Sequence, residues 1–258
     1  MGHGGVTDIS AQLWYAARTL LTARRLGLQT RSILDELFLG SQALNVVFTS
    51  RAFQPFSERF GSTFVFAGPS LDEREPEPDF PWDLIGSKEV ILVTLGTIFN
   101  LDPHPYRLCL EALANTNRPV VVSTGHGLPE NALPCLPNVI VRPFVPQMRL
   151  LRQASLFVCH GGIGGLSRAI GCGVPVITSP VIREQALVGA RVEELGAGVL
   201  IPRRKLTVTG LRDAANRVMG DRAFSENAEN VGESFVSTDG MDEAVERIFA
   251  LTRLQSSP

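Results

Sequence analysis

Apolar and polar positions follow a regular rhythm from about residue 86 to the C-terminus. Short runs of consecutive apolar residues alternate with segments whose apolar residues have helical spacing. The runs predict strands at 89–95, 119–124, 138–142, 155–159, 174–179 and 198–201, with helices near 104–116, 147–153, 163–171 and 184–195 between them. Strands that are apolar throughout are typical of a parallel sheet covered by helices on both faces. The pattern predicts an α/β fold with a Rossmann-like parallel sheet over 86–258, whose C-terminal part is helical and broken near Gly220 and Gly240.

The first 70 residues have a different pattern. Helices are predicted at 8–27 and 32–39, followed by two short apolar runs at 45–50 and 63–68. These elements bury too little apolar surface to form a domain alone. The next segment is acidic and contains Pro76, Pro78 and Pro81, which are unsuited to a helix interior or a central strand. We therefore expect a remnant of an N-terminal domain at 1–69, a linker at 70–85 and a C-terminal domain at 86–258.

Residues 144–185 carry the strongest functional signal. An apolar strand in this stretch runs into the sequence His-Gly-Gly-Ile-Gly-Gly, from His160 to Gly165, where a helix is predicted to begin. Such a turn presents unpaired backbone N–H groups, and the helix dipole adds to their attraction for an anion. Ligands of open α/β sheets bind at the carboxyl ends of the strands. The stretch therefore predicts a diphosphate site, and its flanking aromatic and amide residues suggest sites for a base and a sugar.

Each candidate residue also has an ordinary structural interpretation. His160 could end its strand with the ring bonded to the backbone, and Thr97 could cap a turn rather than contact phosphate. Phe144 could be a core residue, although the prolines on either side of it favour a loop where its ring could stack on a base. Glu184 and Gln185 could cap a helix instead of binding sugar hydroxyls. The residues alone leave both interpretations open.

Two other nucleotide-binding motifs do not fit. After Gly162 and Gly164, the dinucleotide fingerprint would need a third glycine where Ser167 stands, and no acidic residue ends the second strand of the predicted sheet. The Walker A motif is absent as well. These observations disfavour a dehydrogenase and a P-loop NTPase.

Composition removes further classes of function. The 258 residues include 24 Lys and Arg against 26 Asp and Glu, which gives a net charge of −2 and no electrostatic argument for nucleic acid. The four cysteines lack zinc-type spacing, which is typical of a reduced, cytoplasmic protein. No apolar run reaches about 18 residues, so no membrane span is expected.

On these residues the chain resembles the family 1 glycosyltransferases with the GT-B fold, and among them the bacterial macrolide glycosyltransferases. The similarity runs from about Asn45 to Arg253. It includes the segments 47–55, 64–71, 92–100, 144–185 and 191–201, and a degenerate segment at 240–244. It implies the C-terminal nucleotide-sugar domain of a GT-B enzyme, preceded by a remnant of the N-terminal domain. The implied reaction is inverting transfer of a hexose from a UDP-sugar to a hydroxyl of a small apolar acceptor, such as a macrolide or another secondary metabolite.

The resemblance also implies roles for individual residues. Phe144 would stack on the base, Gln147 would contact the nucleoside, and His160 with the glycines after it would bind the diphosphate. The full implied donor-binding set is Thr97, Phe144, Gln147, His160, Gly161, Gly162, Gly164, Gly165, Arg168, Glu184 and Gln185. The nucleotide sugar is a co-substrate, and no cofactor or metal ion is implied because His160 and helix N–H groups would neutralise the diphosphate.

Arg168 departs from the family pattern. It stands where the family has a glutamate that accepts hydrogen bonds from both ribose hydroxyls, and arginine has only donors. We therefore expect weaker or altered donor binding. A transferase that uses a TDP-deoxysugar is an alternative, because donor binding without that glutamate would depend less on a ribose 2′-hydroxyl.

The catalytic base is a second departure. The segments match only the last part of the family's first domain. The histidine that acts as general base in the family belongs to the part that is not matched, and no catalytic residue is assigned in this chain. We expect weak or no activity from the chain alone. A non-catalytic nucleotide-sugar-binding half that needs a separate acceptor-domain chain is the other alternative. Apolar residues such as Phe53 and Phe56 would then be uncovered, which predicts either self-association or poor order before residue 70.

Overall fold

The computed structural model describes residues 44–71, 79–96, 102–126, 128, 132–236 and 239–255. The helices predicted at 8–27 and 32–39, and the candidate residue Thr97, lie outside these ranges. By compactness, the described chain divides into two units. The first contains residues 44–46, 58–65 and 243–255, and the second contains 47–57 and 66–242 apart from the gaps given above. The domain boundaries expected at residues 69 and 86 stay predictions.

Two short strands, β1 (Asn45–Val47) and β2 (Phe64–Phe66), pair in a two-stranded sheet. A single turn of 3-10 helix, Ser57–Arg59, lies between them in the chain. Both strands fall within the predicted apolar runs and are shorter than those runs.

A six-stranded parallel sheet is the centre of the second unit. Its strands are β3 (Val90–Thr94), β4 (Val120–Ser123), β5 (Val139–Arg142), β6 (Ala154–Cys159), β7 (Val176–Thr178) and β8 (Gly198–Leu200). Their order across the sheet is β5-β4-β3-β6-β7-β8, with parallel pairing throughout. The predicted α/β fold with a parallel sheet is confirmed. The strand order reverses between β3 and β6, which is the switch point where ligands of such sheets bind.

Seven α-helices are described. They are α1 (His104–Leu113), α2 (Gln147–Leu151), α3 (Ile163–Gly171), α4 (Arg183–Glu194), α5 (Val208–Gly220), α6 (Ala223–Val236) and α7 (Gly240–Gln255). Two 3-10 turns, Trp82–Leu84 and Arg203–Lys205, complete the described helical elements. The predicted helices on the sheet and the breaks near Gly220 and Gly240 all appear.

The sheet separates two apolar cores because successive side chains of a strand point to opposite faces. In β3, Val90 and Leu92 belong to one core cluster, while Ile91 and Val93 belong to the other. All four side chains have 0% exposure. This burial on both faces explains why the strand is apolar at every position.

Residues before the sheet also enter the core. Phe80 and Ile85 are 5% and 1% exposed and pack in the cluster that contains β3 residue Leu92. Phe53 is also buried there, with its ring 5.7 Å from the ring of Phe235 in α6. The expectation that Phe53 is uncovered is therefore wrong, because α6 covers it, whereas Phe56 is 65% exposed. Self-association stays a prediction.

Candidate functional site

A cavity of about 310 Å³ lies at the switch point, where β3 and β6 end. Its walls come from the loop after β3, the turn after β6 and the starts of three helices. The lining residues are Thr94, Leu95, Gly96, Gln147, Phe157, Cys159, His160, Gly162, Gly165, Val181, Ile182 and Gln185. The structure thus brings together Gln147, His160, Gly162, Gly165 and Gln185 from the predicted site.

The imidazole of His160 lies against two glycines. A Cβ atom on Gly96 would be 3.2 Å from the ring atoms Cε1 and Nε2, and one on Gly162 would be 2.5 Å from Nε2. Gly96 also has a φ of +99°, which side-chain-bearing residues rarely adopt. Glycine at these two positions leaves space for the histidine ring at the cavity wall.

Gly161 is required by its backbone geometry. Its φ is +85°, and a Cβ atom would be 2.8 Å from the carbonyl oxygen of Gln185. Its N–H donates to Sγ of Cys159 at 3.3 Å, so this amide is already engaged. Burial raises the pKa of the Cys159 thiol to about 12, and the bond from Gly161 only partly opposes that shift. Cys159 is therefore a neutral thiol in the cavity wall and not a nucleophile.

The groups predicted to bind an anion are at the start of α3. Its N-cap residue is Gly162, and no side chain caps this helix end. The N–H groups of Ile163, Gly164 and Gly165 belong to the first turn and have no acceptor within the helix. A Cβ atom on Gly164 would meet nothing within 4 Å, so the approach to this turn is open.

His160 is half-buried and is held in its neutral form. Its Nδ1 atom is buried and has no hydrogen-bond partner in the described part of the chain. Burial lowers the pKa of His160 below its ordinary value, and the charge of Arg203 lowers it further. The backbone of Thr94 opposes this pKa shift without cancelling it. At neutral pH the ring therefore offers one N–H donor, which can serve a phosphate oxygen.

Gln185 takes part in helix capping. Its Oε1 accepts the N–H of Val181 at 2.9 Å and that of Ile182 at 3.3 Å, which holds the loop that precedes α4. The side chain is 8% exposed. Its amide nitrogen is the group left for a sugar hydroxyl, so the predicted sugar contact stays a prediction. Glu184 is exposed at the start of the same helix and does not line the cavity.

Phe144 stands outside the cavity lining, on the loop between β5 and α2. Its ring is 44% exposed and contacts His126, with the ring centroids 4.6 Å apart and the planes at 69°. His126 follows β4, and no role was predicted for it. The sequence feature that could have identified His126 is its position directly after Gly125, in the turn that follows β4. A flat aromatic surface thus lies three residues before Gln147, and base stacking on it stays a prediction.

Arg168 lies in α3, one turn after Gly165. Its Nη1 donates to Oε1 of Gln147 at 3.3 Å. Both side chains are partly exposed. Sequence reasoning identified each residue but did not predict that they contact one another.

Neither a metal centre nor a membrane span is found among the described residues. They contain no group of three or more His, Cys, Asp and Glu side chains placed to hold a metal ion. Of the helices described, none combines the length and apolar character needed to cross a bilayer.

Comparison with known proteins identifies the family. Residues 107–251 match the family model described as "Erythromycin biosynthesis protein CIII-like, C-terminal domain". The chain belongs to this family. The matched range contains β4 to β8 and every candidate site residue except Thr97.

Curated relatives and solved structures agree with this assignment. The chain is 38% identical over 214 residues to the "Uncharacterized UDP-glucosyltransferase YojK" of Bacillus subtilis, covering 83% of this chain and 53% of the relative. It is 34% identical over 218 residues to the NDP-glycosyltransferase YjiC of the same organism, covering 84% and 55%. The crystal structure of the glycosyltransferase of kitacinnamycin superposes with a TM-score of 0.77 at 26% identity, covering 92% of this chain and 61% of that one.

These matches confirm the resemblance to the GT-B glycosyltransferases, and the relatives themselves are named as glycosyltransferases. The chain spans about half the length of the curated relatives it matches.

Proposed function

We propose that this chain is the donor-binding half of a glycosyltransferase that moves a hexose from a UDP-sugar to a hydroxyl of a small apolar acceptor. One observation carries the proposal. An uncapped helix start, a neutral histidine and a glycine-lined cavity meet where β3 and β6 end. The names of the related UDP- and NDP-dependent transferases support the same donor class.

In this proposal the diphosphate lies at the first turn of α3. The N–H groups of Ile163, Gly164 and Gly165 donate to its oxygens, and the helix dipole adds further stabilisation. His160 donates a further hydrogen bond. A hydrogen bond to a charged group contributes about 1.5–3 kcal/mol. These donors stabilise the charge that develops on the leaving diphosphate during transfer.

Transfer then proceeds by direct displacement. The acceptor oxygen attacks the anomeric carbon, the bond from that carbon to the diphosphate breaks, and the configuration inverts. The acceptor hydroxyl must lose its proton to a base. No side chain of this chain is assigned that role, so the proposal places the base in the acceptor-binding half.

Calorimetric titration with UDP-glucose tests the donor site. The His160→Asn variant should bind about 10- to 100-fold more weakly, because one charge-assisted hydrogen bond is lost. His104→Asn is the matched control, since His104 is exposed at the start of α1 and does not line the cavity. Equal affinity of the wild-type and His160→Asn chains would contradict the proposed site.

A transfer assay distinguishes an active chain from a non-catalytic binding half. The chain alone, at saturating UDP-glucose, should give no glycosylated product with a macrolide acceptor. Adding the acceptor-binding domain of a relative as a separate chain should produce it. Turnover by this chain alone would overturn the binding-half interpretation, while the donor-site proposal would stand.

The acceptor class is proposed from the relatives of this chain. It is supported by the match to the family model described as an erythromycin biosynthesis protein and by similarity to the glycosyltransferase of kitacinnamycin. A panel of macrolide and aromatic hydroxyl acceptors in the two-chain assay tests it. Exclusive use of a sugar or peptide acceptor would contradict it.

A further inference from the structure

Arg203 is a half-buried arginine on the 3-10 turn that follows β8. On either side of it, Ile201 and Leu206 are 9% and 8% exposed and pack in the same core cluster as Tyr106 and Cys109 of α1. The Nη1 atom of Arg203 is buried and has no hydrogen-bond partner among the residues that the structure describes. A buried donor without an acceptor costs stability. The packing of this turn therefore gives no structural reason for a guanidinium group.

The positive charge of Arg203 acts on His160. Burial is the largest cause of the lowered pKa of His160, and the charge of Arg203 lowers that pKa further. Burial also lowers the pKa of Arg203, while Cys109 and Asp102 oppose that shift. The Oδ1 atom of Asp102 is engaged at the start of α1, where it accepts the N–H of His104 at 2.9 Å. Because an arginine side chain stays protonated in proteins, its effect on the imidazole is permanent.

The other elements around the imidazole also carry titratable groups. These groups are Cys159 at the end of β6, Arg168 on α3, and Arg183 and Glu184 at the start of α4. Of the side chains that the structure describes, Arg203 is the one whose charge shifts the pKa of His160. The coupling between the guanidinium and the imidazole is therefore specific to Arg203.

The wall of the cavity has no formal charge of its own. Within the described chain, the residues that line it include no Lys, Arg, Asp or Glu, and His160 is neutral. A diphosphate is an anion, and the uncapped start of α3 contributes only a partial positive charge. Arg203 does not line the cavity, but its charge is felt at the wall through His160. A half-buried charge is screened by salt less than an exposed one, so its attraction for an anion in the cavity persists at physiological ionic strength.

We propose that Arg203 is a positioning residue of the donor site, whose fixed positive charge keeps His160 uncharged in the free chain and attracts the diphosphate when the donor binds. The inference rests on the proposed function, in which the cavity binds a nucleoside diphosphate. Arg203 exerts both effects by its charge, without lining the cavity.

Loss of this charge has two opposite consequences for binding. The diphosphate loses a source of attraction at every pH. The His160 ring also takes up a proton more readily when the diphosphate binds, because Arg203 no longer opposes the imidazolium form. The second consequence offsets the first near the ordinary histidine pKa of about 6.5 and is absent at higher pH, where the ring stays neutral.

Calorimetric titration of the full chain with UDP at two pH values tests the proposal. Arg203→Gln removes the charge and should weaken binding by about 3- to 10-fold at about pH 8.5. At about pH 6.5 its affinity should lie within about twofold of the wild-type value, because the ring then takes up a proton. A side chain with a purely structural role would not give a loss that depends on pH in this way.

Two further variants and a second measurement serve as controls. Arg204→Gln is the matched control, because Arg204 is exposed on the same 3-10 turn, and it should bind UDP like the wild-type chain. Arg203→Lys keeps the charge and should retain most of the affinity at both pH values. NMR titration of the His160 ring in the unliganded chain should show its midpoint at higher pH in Arg203→Gln and unchanged in Arg204→Gln.

The outcomes separate this inference from the proposed function. If the wild-type chain binds UDP and Arg203→Gln binds it equally well at about pH 8.5, the role of Arg203 is overturned and the donor site stands. A loss of the same size at both pH values, or an unchanged His160 midpoint in Arg203→Gln, also overturns that role. If the wild-type chain does not bind UDP at either pH, the proposed function and this inference fall together.

Discussion

Two helices begin at neighbouring positions along the carboxyl edge of the sheet, and their first turns differ. Before α4, the carboxamide oxygen of Gln185 accepts the backbone N–H groups of Val181 and Ile182, so this side chain holds the loop that enters the helix. Before α3, glycine occupies the N-cap and no side chain caps the turn. Unsatisfied N–H groups cost stability. The difference indicates that Gln185 holds the loop before α4, whereas no side chain engages the start of α3, as the proposed function requires.

The largest expected effect is a difference in the free energy of unfolding between variants of two glycines near the start of α3. Gly161→Ala should lower the free energy of unfolding by about 2–4 kcal/mol, because a positive φ and the nearby Gln185 carbonyl both oppose a side chain. Gly164→Ala should raise it by about 1 kcal/mol, since alanine is the better helix former. Urea denaturation of both variants measures this. Similar changes in the two variants would contradict the geometry described for the turn.

A carboxylate at the start of α3 should have opposite effects on stability and on binding. Gly164→Asp should raise the free energy of unfolding by about 0.5–1 kcal/mol through the helix dipole. It should weaken UDP-glucose binding by about 10- to 100-fold, because like charges within about 5 Å repel. Gly164→Asn is the uncharged control. Unchanged affinity in Gly164→Asp would place the diphosphate away from this turn.

Removing the cap of α4 should affect mainly stability. Gln185→Met deletes the acceptor of two N–H groups and should lower the free energy of unfolding by about 1–2 kcal/mol. Gln185→Glu keeps an acceptor oxygen and should retain most of that stability. Thermal unfolding of both variants compares them. Equal destabilisation of the two variants would contradict the capping role given to the acceptor oxygen of Gln185.

The smallest expected effect is a pH dependence of donor binding. Burial lowers the pKa of His160 in the free chain, and a bound diphosphate favours the imidazolium form, so the pKa rises on binding. UDP-glucose affinity should therefore increase a few-fold as the pH falls from about 8 toward the ordinary histidine pKa of about 6.5. Binding should also take up protons, which calorimetry in buffers of different ionisation enthalpy detects. An unchanged pH dependence in His160→Asn would assign the effect to another group.

The sequence predicted the sheet well because its strands are buried on both faces. A short continuous apolar run such as 89–95 is typical of a strand with both faces covered, and β3 lies within it at Val90–Thr94. The glycine turn after β6 was also predictable, since the strand, the turn and the helix are consecutive in the chain. The ends of the strands were predicted less well. The last residues of an apolar run can lie outside the hydrogen-bonded strand and still be apolar, so the sequence does not mark where the strand stops.

Contacts between distant residues were not predictable from the sequence. Phe53 is covered by Phe235, which lies in a helix far along the chain. Arg168 contacts Gln147 only because α2 and α3 pack side by side. The choice between capping and sugar binding for Gln185 depends on the path of the loop before α4, which brings Val181 and Ile182 to its oxygen.

A crystal structure of the chain with UDP tests the central claim most directly. The account predicts phosphate oxygens within about 3.2 Å of the amide nitrogens of Ile163, Gly164 and Gly165, and of the His160 ring. The capped N–H groups of Val181 and Ile182 should keep their bonds to Gln185. A diphosphate bound elsewhere, with the start of α3 unoccupied, would contradict the account.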